Sequence, residues 1–241
     1  MAERSAVKKR RQAPLPPPPR GARTRALKTV ERLKEIYPAA TELDHHNAFE
    51  MVIATILSAQ TTDRSVNLVT PRLFERYPTA AALAAANPAD VEQLIKPTGF
   101  FRAKTRAIIS CARELVARFG GEVPGRMEEL VTLPGIGRKT ANVILGVAFA
   151  VPGFAVDTHV IRLSNRLALV ATRDPAKIER YVTRMVPPAE WTGLSLRLIL
   201  HGRRICVARR PRCEECVLND FCPSSSVRPR RATKPRTSVL Q

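Results

Sequence analysis

The stretch Ala48–Leu57 (AFEMVIATIL) is almost wholly apolar, which predicts a buried central helix rather than a surface one. Residues 106–119 carry apolar positions at helical spacing and run into Gly120-Gly121, a good helix stop. Three pairs, Thr70-Pro71, Asn87-Pro88 and Asp174-Pro175, place a capping side chain before a proline. There the proline occupies the first helical position, where its missing N–H costs nothing. Sustained strand alternation is absent, so the pattern predicts an all-α protein of about ten helices. No short internal repeat interrupts it. The segment 1–23 contains Pro14 and the run Pro16-Pro17-Pro18-Pro19 and reads as a stiff, disordered arm. The segment 223–241, rich in Ser, Pro and Arg, reads as a disordered tail.

Charge changes the picture next. The 241 residues carry a formal charge of +19, which points to a polyanionic partner, most simply nucleic acid. Residues 1–25 hold eight Lys/Arg against Glu3, and residues 223–241 hold five with no acid, so the tails supply +12. Such tails are either a solvated polyelectrolyte or a non-specific hold on DNA. No apolar stretch is long enough to span a membrane, and no apolar segment follows the basic N-terminus as a secretory signal would require. Five cysteines without such a signal argue for a reducing compartment and against a disulfide framework.

The run Leu133-Pro134-Gly135-Ile136-Gly137-Arg138-Lys139-Thr140-Ala141-Asn142 ends one helix, turns on two glycines and opens another. The free N–H groups of the second helix form an anion site indifferent to base sequence. An ATP-binding loop is excluded, because Arg138 separates the lysine from the glycine and no strand precedes the turn. An ordinary lysine is protonated at neutral pH and a poor nucleophile. A helix N-terminus and burial both disfavour the cation, and covalent chemistry needs the free amine. Lys139 therefore reads as a phosphate contact or as a nucleophile.

Asp157, in Ala155-Val156-Asp157-Thr158-His159-Val160-Ile161, falls where a returning helix starts after Pro152-Gly153. It reads as an N-cap, with Val156 and Ile161 as a hydrophobic staple. The cap is compatible with a second role, in which the carboxylate takes a proton and stabilises a developing sugar cation. His159, one turn in, is a candidate for the same pocket. In Leu57-Ser58-Ala59-Gln60-Thr61-Thr62-Asp63, Gln60 could replace the hydrogen bonds of a removed base, and Asp63 could line a pocket or cap the next helix. Thr98-Gly99-Phe100-Phe101-Arg102-Ala103-Lys104 reads as a turn bearing an apolar wedge between base steps, or as a core-facing Phe pair.

Cys206, Cys213, Cys216 and Cys222 form C-x6-C-x2-C-x5-C. Thiolate-only ligation fits zinc or an iron–sulfur cluster, and the spacing departs from the common zinc pattern. Arg203, Arg204, Arg209, Arg210 and Arg212 surround the loop and are placed for DNA-backbone contact. Cys111 stands apart as a core residue.

Taken in order, LSAQTTD, TGFFRAK, LPGIGRKTAN, AVDTHV, LILHGRRIC and the cysteine loop resemble the endonuclease III family within the helix-hairpin-helix DNA glycosylases, across about residues 26–222. The resemblance implies two all-α domains with DNA bound at the cleft between them. One is a six-helix domain at 41–151, and the other, formed by 24–40 with 152–222, holds a [4Fe–4S] cluster on the four cysteines. It implies Lys139 as nucleophile, Asp157 as catalytic carboxylate, Gln60 as the filler of the vacated helix and Phe100 as the wedge. Gly135, Gly137, Arg138, His159 and Arg203 are the further DNA contacts expected. The activity implied is a bifunctional DNA glycosylase/AP lyase that removes oxidised pyrimidines and cleaves 3′ of the site by β-elimination. The rivals are a monofunctional glycosylase of the same superfamily and a non-enzymatic DNA-binding module. The expected partner is duplex DNA with a damaged pyrimidine or an abasic site. A monomer in the cytoplasm, at the nucleoid, is expected.

Overall fold

The computed structural model describes residues 14–227. Among them the regular structure is helical throughout. The helices are α1 (Ala22–Lys34), α2 (Ala48–Leu57), α3 (Asp63–Asn67), α4 (Thr70–Arg76), α5 (Ala80–Ala84), α6 (Pro88–Ile95), α7 (Phe101–Phe119), α8 (Met127–Leu130), α9 (Arg138–Ala148), α10 (Thr158–Arg166), α11 (Pro175–Met185) and α12 (Trp191–Arg204). The helices beyond the ten expected are short pieces such as α3, α5 and α8, too brief to show a helical period in sequence. Among the described residues no helix is long and apolar enough to cross a membrane.

Two apolar cores organise the chain. The first is built on α2, whose residues from Phe49 to Leu57 are all buried and which packs on α7 and α9. Each aliphatic side chain enclosed this way contributes about 1.5–3 kcal/mol. Glu50 is the one carboxylate buried on α2. It is satisfied locally, since its Oε2 accepts from the His46 N–H at 2.7 Å while its own N–H donates to Asn47 Oδ1 at 2.9 Å. Cys111 lies in this core. The second core joins α1, α10, α11 and α12, with Leu218 from the cysteine loop. Helix α9 also touches α12, so the element that carries Lys139 spans the seam.

The capping signals hold at two of the three proline starts. Asn87 accepts from Ala89 N–H, and Asp174 accepts from Ala176 and Lys177 N–H. Thr70 does not cap. It lies inside α4, buried, behind Val69 in helical geometry. Helix α3 runs into α4 without the extended residue an N-cap needs, so Pro71 sits in a nearly continuous turn. The Gly120-Gly121 stop holds: Gly120 has φ 63° and Gly121 N–H reaches back to Leu115 O at 3.0 Å.

The expected disordered arm at 1–23 is corrected where the structure describes it. Leu15 packs on the second core, the Tyr181 hydroxyl donates to Pro16 O at 2.8 Å, and α1 has begun by Ala22. Apolar contact and one buried hydroxyl fix a segment that composition alone reads as free. The expected tail is likewise ordered at its start, where Ser225 N–H donates to Cys222 O. Residues 1–13 and 228–241 lie outside the described residues.

Candidate active site

Pro134 and Gly135 close the hairpin between α8 and α9. Gly135 takes φ 80°, in the left-handed region that disfavours a side chain, and a Cβ there would press on Ile56 at 3.2 Å. Gly137 differs: its φ is −92°, and a Cβ would meet nothing within 4 Å. It leaves the N-terminus of α9 without a side-chain cap, so the first-turn N–H groups remain open to an anion. Arg138 does not stay free at this turn. Its Nε and Nη2 donate to the two carboxylate oxygens of Glu179 on α11, at 2.8 and 2.7 Å, tying the hairpin to the second core.

Lys139 lines a cavity of about 60 Å³ where the two cores meet. Thr55, Ser58 and Asp63 form one wall, and Ile199, Leu200 and Arg203 of α12 form another. A wider groove of about 760 Å³ adjoins it, sharing Glu42, Asp63 and Arg203 and adding His159 and Asn67. That volume lies within the range of small-ligand pockets. Arg203 Nη1 donates to Glu42 and to Asp63, both at 2.7 Å. Glu42 also accepts from Arg204 at 2.7 Å, and the two arginines hold its carboxyl below the usual range even though burial opposes them.

Asp157 is not in the wall of the Lys139 cavity. Its Oδ1 accepts from Val160 N–H at 2.8 Å and caps α10. The return from α9 is set by close backbone packing. Asn142, three residues beyond Lys139, donates to Phe154 O at 3.2 Å, and a Cβ on Gly153 would stand 2.7 Å from Asn142 O. Only glycine fits there, and that fit holds the approach to Asp157 against α9. His159 hydrogen-bonds Arg162 at 3.1 Å; burial lowers its pKa, which Asp157 partly offsets.

Gln60 and Phe100 occupy a second groove, lined also by Gly135, Ala103, Lys104 and Ala107. Both take positive φ, 55° and 46°, which costs a non-glycine residue about 1 kcal/mol or more. The Phe pair divides: Phe101 packs on the first core, while Phe100 is 68% exposed.

Cys206, Cys213, Cys216 and Cys222 are unpaired and line one cavity with Arg166. Among the described residues no group of three His, Cys, Asp or Glu side chains is placed to hold one metal ion. A multi-iron cluster suits four cysteines around one cavity better, since each thiolate then binds a different iron. The sulfurs receive donors, as thiolate ligands do. Arg166 Nη1 reaches Cys206 Sγ at 3.2 Å and Leu218 N–H reaches Cys216 Sγ at 3.4 Å. His201, which sequence reading missed as a participant, lies 3.3 Å from Cys216 Sγ through Nε2 and 3.3 Å from the Tyr37 hydroxyl through Nδ1. Burial lowers its pKa to about 4, so the ring is neutral. With Tyr37 donating to Nδ1, the ring N–H falls on Nε2 and points at the sulfur. Burial pushes the Cys216 thiol up to about 11, helped by the other three cysteines, so four thiolates here need cationic charge among them. The purified protein is expected to be brown, with broad visible absorption and roughly four irons per chain. A colourless protein containing zinc would refute this.

Residues 53–188 match the HhH-GPD superfamily of base excision DNA repair proteins, and residues 206–222 match the iron–sulfur binding domain of endonuclease III. Endonuclease III of Synechocystis sp. is 51% identical over 203 residues, covering 83% of this chain and 93% of the relative. Two solved structures, a non-covalent endonuclease III–DNA complex and a trapped endonuclease III–DNA covalent intermediate, each superpose with a TM-score of 0.80 at 40% identity, over 84% of this chain and 96% of theirs. With a family model over more than half of its residues and relatives at 40–51% identity along most of its length, the chain belongs to the endonuclease III family.

Proposed function

We propose that this protein excises oxidised pyrimidines from duplex DNA and then cleaves the strand 3′ of the vacated site. The observation that carries the reading is Lys139, placed one residue into α9 behind an uncapped hairpin and lining the cavity at the seam. The hairpin backbone at Gly135–Gly137 holds a phosphate. Phe100 enters the base stack and Gln60 takes up the hydrogen bonds of the departed base. The nucleotide turns out into the groove beside Asp63, His159 and Arg203. Unstacking costs a few kcal/mol, least for a damaged base. Arg138, paired with Glu179, orients the hairpin more than it neutralises DNA.

The free amine of Lys139 attacks C1′, forming a C–N bond as the glycosidic bond breaks and the base leaves with its electron pair. Asp157 stabilises the positive charge on the sugar and takes up a proton from the attacking amine. The sugar ring then opens: the C1′–O4′ bond breaks, O4′ takes up a proton, and the nitrogen becomes an imine that acidifies the C2′ proton. Its removal expels the 3′ phosphate, leaving an unsaturated aldehyde that water frees from the lysine. The solved covalent endonuclease III–DNA intermediate supports a step of this kind.

Cys206, Cys213, Cys216 and Cys222 would hold a [4Fe–4S] cluster, whose part is to shape the loop carrying Arg209, Arg210 and Arg212. The units proposed are 41–151, and 24–40 with 152–222. One chain carries every group this chemistry uses, which supports action as a monomer. Unpaired thiols suit a reducing cytoplasm, where the nucleoid lies.

The test is a duplex carrying one oxidised pyrimidine, incubated with protein and borohydride. A one-to-one covalent adduct is expected, and without borohydride a strand cut ending in the unsaturated aldehyde. Base release that leaves the strand whole would sink the lyase half of the proposal.

A further inference from the structure

The turn that presents Phe100 is held against its own preferences. Gly99 (φ 66°) and Phe100 (φ 46°) take successive positive φ values, and the Phe100 ring stands 68% exposed. Neither local propensity nor burial of the ring fixes it there. Thr98 Oγ1 donates back to Ile95 O at 2.8 Å, which closes the 3-10 turn before it. Gly99 N–H donates to Lys96 O at 3.3 Å within that turn. Two further hydrogen bonds, one at each end, come from Lys104. Lys104 N–H donates to Phe100 O at 3.1 Å, at the exit of the turn, and Lys104 Nζ donates to Thr98 O at 2.7 Å, at its entry.

We infer that Lys104 is a positioning residue whose ammonium ties the entry of the Thr98–Phe100 turn to α7, where its main-chain N–H already holds the exit, and so fixes the angle at which Phe100 meets DNA. The inference rests on the reading of Phe100 as the wedge. Its placement supports the role. Lys104 is 5% exposed, and its hydrogen-bond acceptor among the described residues is a backbone carbonyl rather than a carboxylate. A buried ammonium is costly, and an aliphatic side chain would fill the same space more cheaply. The donor is the part of the side chain that an aliphatic residue lacks. Burial also pulls its pKa below the ordinary lysine value, as the enclosed position requires. Lys104 lines the groove shared by Gln60, Phe100 and Gly135, so slack in the turn reaches the surface proposed to face DNA.

The test compares Lys104→Met, Lys104→Gln and Phe100→Ala on two substrates. The first is a duplex with an oxidised pyrimidine, which must be unstacked. The second is single-stranded DNA with a preformed abasic site, which needs Lys139 chemistry but no wedge. Lys104→Met is expected to slow single-turnover excision from the duplex about tenfold, the scale of one charge-assisted hydrogen bond, and to leave cleavage of the single strand unchanged. Lys104→Gln keeps a donor N–H and is expected to lose less. Combined with Phe100→Ala, Lys104→Met is expected to add almost nothing, since both act through one ring. A slow Phe100→Ala beside a wild-type Lys104→Met overturns this inference alone. An equal loss on both substrates also overturns it, because that marks general damage to the fold. A wild-type rate for Phe100→Ala removes the wedge reading and the inference together.

Discussion

Lys139→Ala is expected to yield no borohydride-trapped adduct with any abasic or oxidised substrate, and to lower excision by roughly a thousandfold or more. An alanine has no nitrogen to bond C1′, so neither the glycosylase intermediate nor the imine can form. The fold should tolerate the change. Lys139 is exposed on the first turn of α9, and alanine is a good helix former there. Binding supplies the control. Lys139 is one of many cations in the chain, and the uncapped backbone N–H groups of the hairpin, proposed to hold phosphate, remain. Affinity for undamaged duplex is therefore expected to fall only a few-fold, with the salt slope reduced by about one. A trapped adduct in Lys139→Ala would move the nucleophile elsewhere. A large loss of affinity with unchanged chemistry would return Lys139 to the role of a phosphate contact.

What was legible in sequence was what is local. The apolar run of α2 and the caps at Asn87 and Asp174 depend on residues a few positions apart, and they stand as read. The glycine hairpin is equally local, although only Gly135 needs glycine for its φ. Thr70 failed because its rule assigns it to an extended position before the helix, whereas it lies inside α4 behind Val69, which is itself in helical geometry. What was not legible depends on distant partners. Glu42 carries no motif of its own. It enters the site because Arg203 and Arg204, on α12, converge on it across the seam. Arg138, expected as a DNA contact, also pairs with Glu179, 41 residues away, which no local pattern announces. His201 stood inside a recognised motif, yet its reach to both Tyr37 and Cys216 follows from the packing of α1 against α12.

The same contrast bears on the electrostatics of the seam. The Lys139 cavity holds Asp63, Glu42 and Arg203, and the arginine is shared between the two carboxylates. A DNA phosphate or sugar entering here meets groups already paired, so its arrival exchanges partners rather than filling an empty basic pocket. That separates this part of the surface from the hairpin, where the anion site is backbone and constant. On the proposed function, positioning of the backbone falls to α9 and contact with the turned-out nucleotide to the group around Asp63 and Arg203.

Asp157→Asn separates the two roles that meet at the N-terminus of α10. Asparagine caps about as well as aspartate, so the bond from Val160 N–H is kept and the unfolding free energy from urea denaturation should change by less than about 1 kcal/mol. The charge is lost, and with it the acceptor for the amine proton and the stabiliser of the sugar cation. Single-turnover excision is expected to fall by about 10²–10⁴-fold, the range for removing a positioned acid or base. Asp157→Ala loses both roles and should be destabilised by about 1 kcal/mol as well. A preformed abasic site sharpens the comparison, since imine formation there needs no glycosidic bond to break. Trapping on that substrate should suffer less than excision does if Asp157 acts chiefly on the departing base. Excision by Asp157→Asn at the wild-type rate would reduce Asp157 to a helix cap. Equal instability of the Asn and Ala variants would mean that the carboxylate, rather than the hydrogen bond, holds α10 in place.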